Sequence, residues 1–181
     1  MLNSIHDGSV KLPKDDDLFS GISLPYVFVG DDAFALKKFM TKPYPQHNLT
    51  EDKRIYNYRH SRGRRISENL FGILANRWRV FFTTINLEPN HVENVVLSAL
   101  ALHNMLLKNP AYLPGTLADS ILENGDIREG EWRDNVATET YHPLQMPKSG
   151  HNASITAKAV RHDFKDCFMN EGAVEWQWKY C

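Results

Sequence analysis

Two carboxylates and one run of cations are the residues of this chain that could do chemistry together. Asp31 closes the apolar stretch Leu24-Pro25-Tyr26-Val27-Phe28-Val29-Gly30, where a buried strand would end. Glu68 is the single acid between Lys53 and Arg79. Phosphodiester hydrolysis assisted by divalent ions needs hard oxygen ligands on a rigid frame, and carboxylates at a strand end and on a neighbouring helix supply them. Asp31 and Glu68 are therefore the candidate catalytic acids and metal ligands, for Mg²⁺ or Mn²⁺. Each also suits a plainer role. Asp31-Asp32 before a helix can serve as a turn and a cap, and Glu68 can pair with Arg64 or Arg65 one turn earlier. On a helix Glu68 would flank the apolar stripe beside Gly72 and Ala75, whose small side chains leave room for close approach of a sheet and for an ion.

The run from Lys53 to Arg65 carries six cations, two tyrosines and no acid. Such a run offers phosphate contacts and aromatic faces for stacking, and Lys53, Arg54, Arg59, His60, Arg62, Arg64 and Arg65 are the candidate DNA-phosphate contacts. A solvated, self-repelling loop or a nuclear-localisation signal has the same composition. Neither a helix-turn-helix nor a zinc finger can be read, so base-specific recognition does not follow.

Composition frames these candidates. The 181 residues suit one domain with extensions, and 42% hydrophobic content can fill a core. The formal charge of −1 hides a segregation: Lys53 to Arg79 holds eight cations against Glu68, and the remainder is acidic. Two cysteines, Cys167 and Cys181, cannot make a four-ligand zinc site, and a reducing intracellular compartment is expected. No apolar run approaches the ~20 residues of a membrane span. His103 lies on an apolar helix and reads as a hydrogen-bonded core residue, and no nucleophile or glycine-rich phosphate motif occurs.

The elements that must position the two acids follow from periodicity. A strand is expected over 24–29, then a short helix over 33–40 capped by Asp32 and a loop over 41–53. A helix over about 64–81 follows, with Ile66, Leu70, Ile73, Leu74, Trp78 and Phe81 as its apolar stripe. Pro89 opens a helix that is apolar nearly all round to Leu107, as if buried against a sheet. Residues 110–150 are acidic, rich in Pro and Gly, and expected to be largely irregular. An amphipathic helix over 154–169, with Ile155, Ala159, Val160, Phe164 and Phe168 on one side, precedes the aromatic tail Trp176-Gln177-Trp178. The fold class is α/β.

With these residues in place the chain resembles the C-terminal part of PIF/Harbinger-type transposase-derived nucleases of the DDE endonuclease superfamily. The second-acid motif of that family reads here as Val27-Phe28-Val29-Gly30-Asp31-Asp32-Ala33-Phe34-Ala35-Leu36, with Ala35 where proline is frequent. The third-acid motif reads as Asn57, His60-Ser61-Arg62, Glu68, Phe71-Gly72 and Arg77-Trp78. Leu102-His103-Asn104 resembles the helix that follows. The likeness covers about residues 1–108 and, more loosely, 161–178. It implies a ribonuclease H-like core, divalent-metal-dependent hydrolysis of DNA, a nuclear location with the cytoplasm as a second compartment, and a separate DNA-binding partner protein. By position Asp31 becomes the second catalytic acid and Glu68 the third. The family's first catalytic Asp falls before Met1, so the core is expected to be incomplete at its N-terminal strands and the chain to be a truncated form. Three regions are expected: 1–108 as the endonuclease part, 109–152 as an acidic irregular segment, and 153–181 as a C-terminal helix and tail. The alternative function is a non-catalytic remnant that binds DNA or a partner protein.

Overall fold

The computed structural model describes residues 5, 9–19, 21–112, 114–135 and 153–180. Helices and small sheets mix, as the α/β class requires. The chain divides into two compact units, residues 1–64 with 146–181, and residues 65–145.

In the first unit β1 (Asp16–Phe19) and β2 (Ile22–Leu24) form an antiparallel hairpin. Gly21, at φ +94°, makes the turn in a conformation that other residues rarely adopt. The apolar run expected as one strand is split. Pro25 lacks an N–H for the ladder, and pairing resumes only at β3 (Phe28–Val29), which lies parallel to β4 (Met40–Thr41). The expected helix over 33–40 does not form. Phe28 N donates to Phe39 O at 2.8 Å and Gly30 N to Thr41 O at 2.9 Å, so residues 39–41 are drawn into extended pairing.

Helix α1 (Glu51–Arg77) contributes residues 51–64 to the first unit and 65–77 to the second. It starts well before the expected residue 64, and the whole basic run is helical. Glu51 and Asp52 sit in the first turn, where negative charge favours the helix N-terminus. Ile55 and Tyr56 are its most buried side chains in the first unit. Burial pushes the Tyr56 phenol up to about 12, and its hydroxyl is hydrogen-bonded to Thr41. Helix α3 (Ile155–Met169) opens on Ser154, whose hydroxyl accepts from Ala157 N at 3.1 Å. It packs against β2 and β4, burying Ala157, Val160 and Cys167. Ile155, expected on that face, is 88% exposed instead.

In the second unit the end of α1 buries Ile73, Leu74 and Ala75, while Ile66, Leu70 and Phe71 are exposed. Of the expected stripe only Ile73 and Leu74 are buried, with Trp78 and Phe81 intermediate. Helix α2 (Pro89–Leu106) begins at the proline as expected. It is not buried all round: only Ala99 and His103 are buried, and Leu97, Leu102 and Met105 face solvent. The strand pairs among the described residues are two to four residues long and offer no broad face to cover it. The stretch expected to be irregular contains a hairpin, β5 (Ser120–Ile121) with β6 (Ile127–Arg128), and a 3₁₀ turn at Glu131–Asn135. Residues 136–150 of that stretch lie outside the described residues.

Candidate metal and nucleic-acid site

Asp31 lies directly beyond β3. The strand end is tightly built around Gly30: a Cβ there would fall 2.9 Å from Met40 Sδ and 3.1 Å from the Phe34 ring. Asp31 Oδ1 accepts from Ala33 N at 3.0 Å, making a turn without a following helix. Oδ2 lies 3.9 Å from the Arg64 guanidinium, and the carboxylate side chain remains 46% exposed. A water-accessible acid with a cation beside it is a site at which a phosphate and a divalent ion can both be received.

Glu68 stands on the second-unit part of α1 and is partly exposed. The space expected beside it at Gly72 is occupied. The Trp132 ring lies against that glycine so closely that a Cβ would meet it at 2.1 Å. The small residue serves an aromatic lid rather than an ion cavity.

The cations of the basic run are placed in detail. Arg59 Nη1 donates to Gly172 O at 3.1 Å and to Gln177 Oε1 at 3.0 Å, and its guanidinium lies over the rings of Phe168 and Trp176. His60 is buried, its Nε2 3.3 Å from Thr41 O. Burial lowers its pKa, and Arg64 and Arg161 add to the effect. Arg62 is 8% exposed, stacked 4.0 Å over Trp176, and donates to Tyr58 Oη at 2.9 Å. Arg65 binds Asp119 at 3.0 Å. Lys53 sits 5.7 Å from the Tyr44 ring centre, and Arg54 is exposed. Arg59, His60, Arg62 and Arg65 are thus engaged in packing within their own units, Arg64 lies beside Asp31, and Arg54 is exposed.

Asp119, absent from any sequence motif, organises the second unit. Its side chain is fully buried and accepts from Arg65 Nη1, Arg133 Nε at 2.9 Å, Arg133 Nη2 at 2.5 Å and Gly130 N at 2.9 Å. Burial pushes its pKa upward, but the bonds from Arg133, Gly130 and Arg65 outweigh this and hold it at about 2. Asn69 clasps the same residue from α1, accepting from Asp119 N at 3.0 Å and from Trp132 Nε1 at 2.8 Å. In the first unit Asp52 is likewise held at about 2, by hydrogen bonds from Lys165 and Thr50. No spacing rule could have found Asp119 or Gln177, because their partners lie 54 and 118 positions away. His103 is buried as expected, but its Nδ1 finds no hydrogen-bond partner among the described residues.

Residues 5–104 match the family model of the DDE superfamily endonucleases. The match spans more than half of the chain and includes Asp31 and Glu68, and the chain belongs to that family. No curated protein and no solved structure matches it. The family generally uses divalent metal ions and acts on DNA. Mg²⁺ is commonly held by one or two carboxylates, with waters and substrate phosphates completing the shell. The half-exposed Asp31 carboxylate fits such a share in kind. Among the described residues, however, no group of three or more His, Cys, Asp or Glu side chains comes together. No helix among them is long and apolar enough to cross a membrane.

Proposed function

We propose that this chain is the catalytic-domain part of a transposase-derived DNA endonuclease of PIF/Harbinger type, built on a ribonuclease H-like core. Asp31 and Glu68 are its contributed metal ligands. When bound there, Mg²⁺ or Mn²⁺ would supply an activated water and a counter-charge for the leaving oxygen. The chain's own groups do the rest: Arg64 beside Asp31 draws a phosphate to the acid, and Lys53 and Arg54 extend that attraction along α1. The observation that carries this reading is the exposed Asp31 carboxylate beyond the end of β3, 3.9 Å from Arg64, inside the family match. The nucleus is the proposed location, and a separate DNA-binding protein the proposed partner.

A second reading, a non-catalytic DNA- or partner-binding remnant, is favoured by the absence of a three-donor group among the described residues. Calorimetric titration of the full chain with Mn²⁺, in the presence of a short DNA duplex, separates the two. The endonuclease reading requires saturable binding that weakens in Asp31→Ala and in Glu68→Ala. Binding of DNA with no uptake of Mn²⁺ supports the remnant.

A further inference from the structure

Four α1 residues at helical spacing, Arg65, Asn69, Gly72 and Asn76, grip the segment 114–135 along one face. Arg65 bonds Asp119, Asn69 bonds Asp119 and Trp132 Nε1, Gly72 receives the Trp132 ring, and Asn76 Nδ2 donates to Trp132 O at 2.7 Å. The product of this seam is a fixed Arg133. Its Nε and Nη2 are bound side-on by the fully buried Asp119, and its guanidinium stacks 4.4 Å over the Trp132 ring. A carboxylate and an aromatic ring together remove nearly all the rotational freedom of an arginine. Nη1 has no hydrogen-bond partner among the described residues, and the side chain stays 30% exposed. Arg65 and Arg133 share the one Asp119, and the negative charges of Glu129 and Glu68 also reach Arg133.

We propose that Arg133 is a DNA-phosphate contact of the second unit, aimed by Asp119 and Trp132 to receive a phosphate oxygen on Nη1 beside Glu68. Asp119 and Trp132 are positioning residues. The inference deepens the endonuclease reading, because it rests on this chain acting on DNA. It adds a cation from a segment outside the family match, which ends at residue 104.

The test is fluorescence anisotropy of a short labelled duplex bound by the full chain over a NaCl series, with EDTA present. Arg133→Gln is expected to lower the slope of log affinity against log salt by about 0.9, the loss of one phosphate contact. Arg133→Gln alone leaves Asp119 short of a partner, so the paired Asp119→Asn, Arg133→Gln variant is measured beside it and should show the same fall. Thermal melts of both variants, read beside the slope, should show the chain folded at the assay temperature. An unchanged slope in both Arg133 variants overturns the proposal. So does a fall that appears only together with loss of the folded state in the melts. DNA cleavage that survives Asp31→Ala and Glu68→Ala overturns the roles given to those acids while leaving the slope result standing.

Discussion

Arg59 and Gln177 are joined inside the first unit: Arg59 Nη1 donates to the amide oxygen of Gln177 at 3.0 Å, and that glutamine is fully buried. Gln177 also accepts from Val174 N at 3.3 Å and donates to Phe168 O at 2.8 Å. The C-terminal tail is therefore tied to the basic run through one amide with every partner satisfied, and Trp176 stacks on Arg59 and Arg62 beside it. Cations that composition alone would assign to nucleic acid have an internal partner.

Truncating that joint leaves buried polar groups unpaired. Gln177→Ala should destabilise the protein by about 1–3 kcal/mol, the usual penalty for unsatisfied buried donors and acceptors. Thermal unfolding of the full chain reads this directly. A melting temperature equal to that of the unsubstituted chain would show that the tail is not held as described.

The basic run should divide by burial. Arg54→Gln is expected to reduce the salt slope of DNA binding by about 0.9 with stability unchanged. Arg62→Ala should lower stability by about 1–3 kcal/mol through lost stacking and packing and leave the slope nearly untouched. Anisotropy and thermal melts on the same two proteins decide it, and the reverse pattern would place the DNA face on the other side of the helix.

Gly72→Ala tests the aromatic lid. Its Cβ would collide with the Trp132 ring, so a loss of about 1–3 kcal/mol from overpacking is expected. Trp132→Leu in the same background should recover part of it. Full tolerance of alanine in denaturant unfolding would mean that the ring does not sit on α1.

Acid should unfold the protein in two stages. His60 is lowered by burial, so the folded state resists its protonation and stability declines as pH falls below the ordinary 6.5. Asp52 and Asp119 are both held at about 2, against about 3.9 in an unfolded chain. Their contribution is complete above about 4 and is lost as pH falls towards about 2. Denaturant unfolding across pH should show both declines, with the lower one reduced in Asp119→Asn. Stability that stays flat from pH 7 to 3 contradicts the assignment.

Some elements could be read from the sequence because their signals are local. The helix opened by Pro89 and the amphipathic helix over 154–169 each depend on neighbours within a few positions. The misread elements depend on distant partners. Asp32 resembles a helix cap, but residues 39–41 pair with β3 and keep the chain extended. The cations at 59 and 62 read as phosphate ligands because nothing nearby reveals Phe168, Trp176 or Gln177. The acidic stretch after Pro110 looked irregular because its order comes from Asp119 binding Arg65 and Arg133 rather than from an apolar pattern.

The central claim is that Asp31 and Glu68 serve divalent-metal-dependent hydrolysis of DNA. Its most direct test is conversion of supercoiled plasmid to nicked circles by the purified chain with Mg²⁺ or Mn²⁺, compared with EDTA. Nicking that requires the metal and disappears in both Asp31→Ala and Glu68→Ala is the predicted result. Nicking that persists in either variant, or no nicking with either metal while DNA binding is intact, contradicts it.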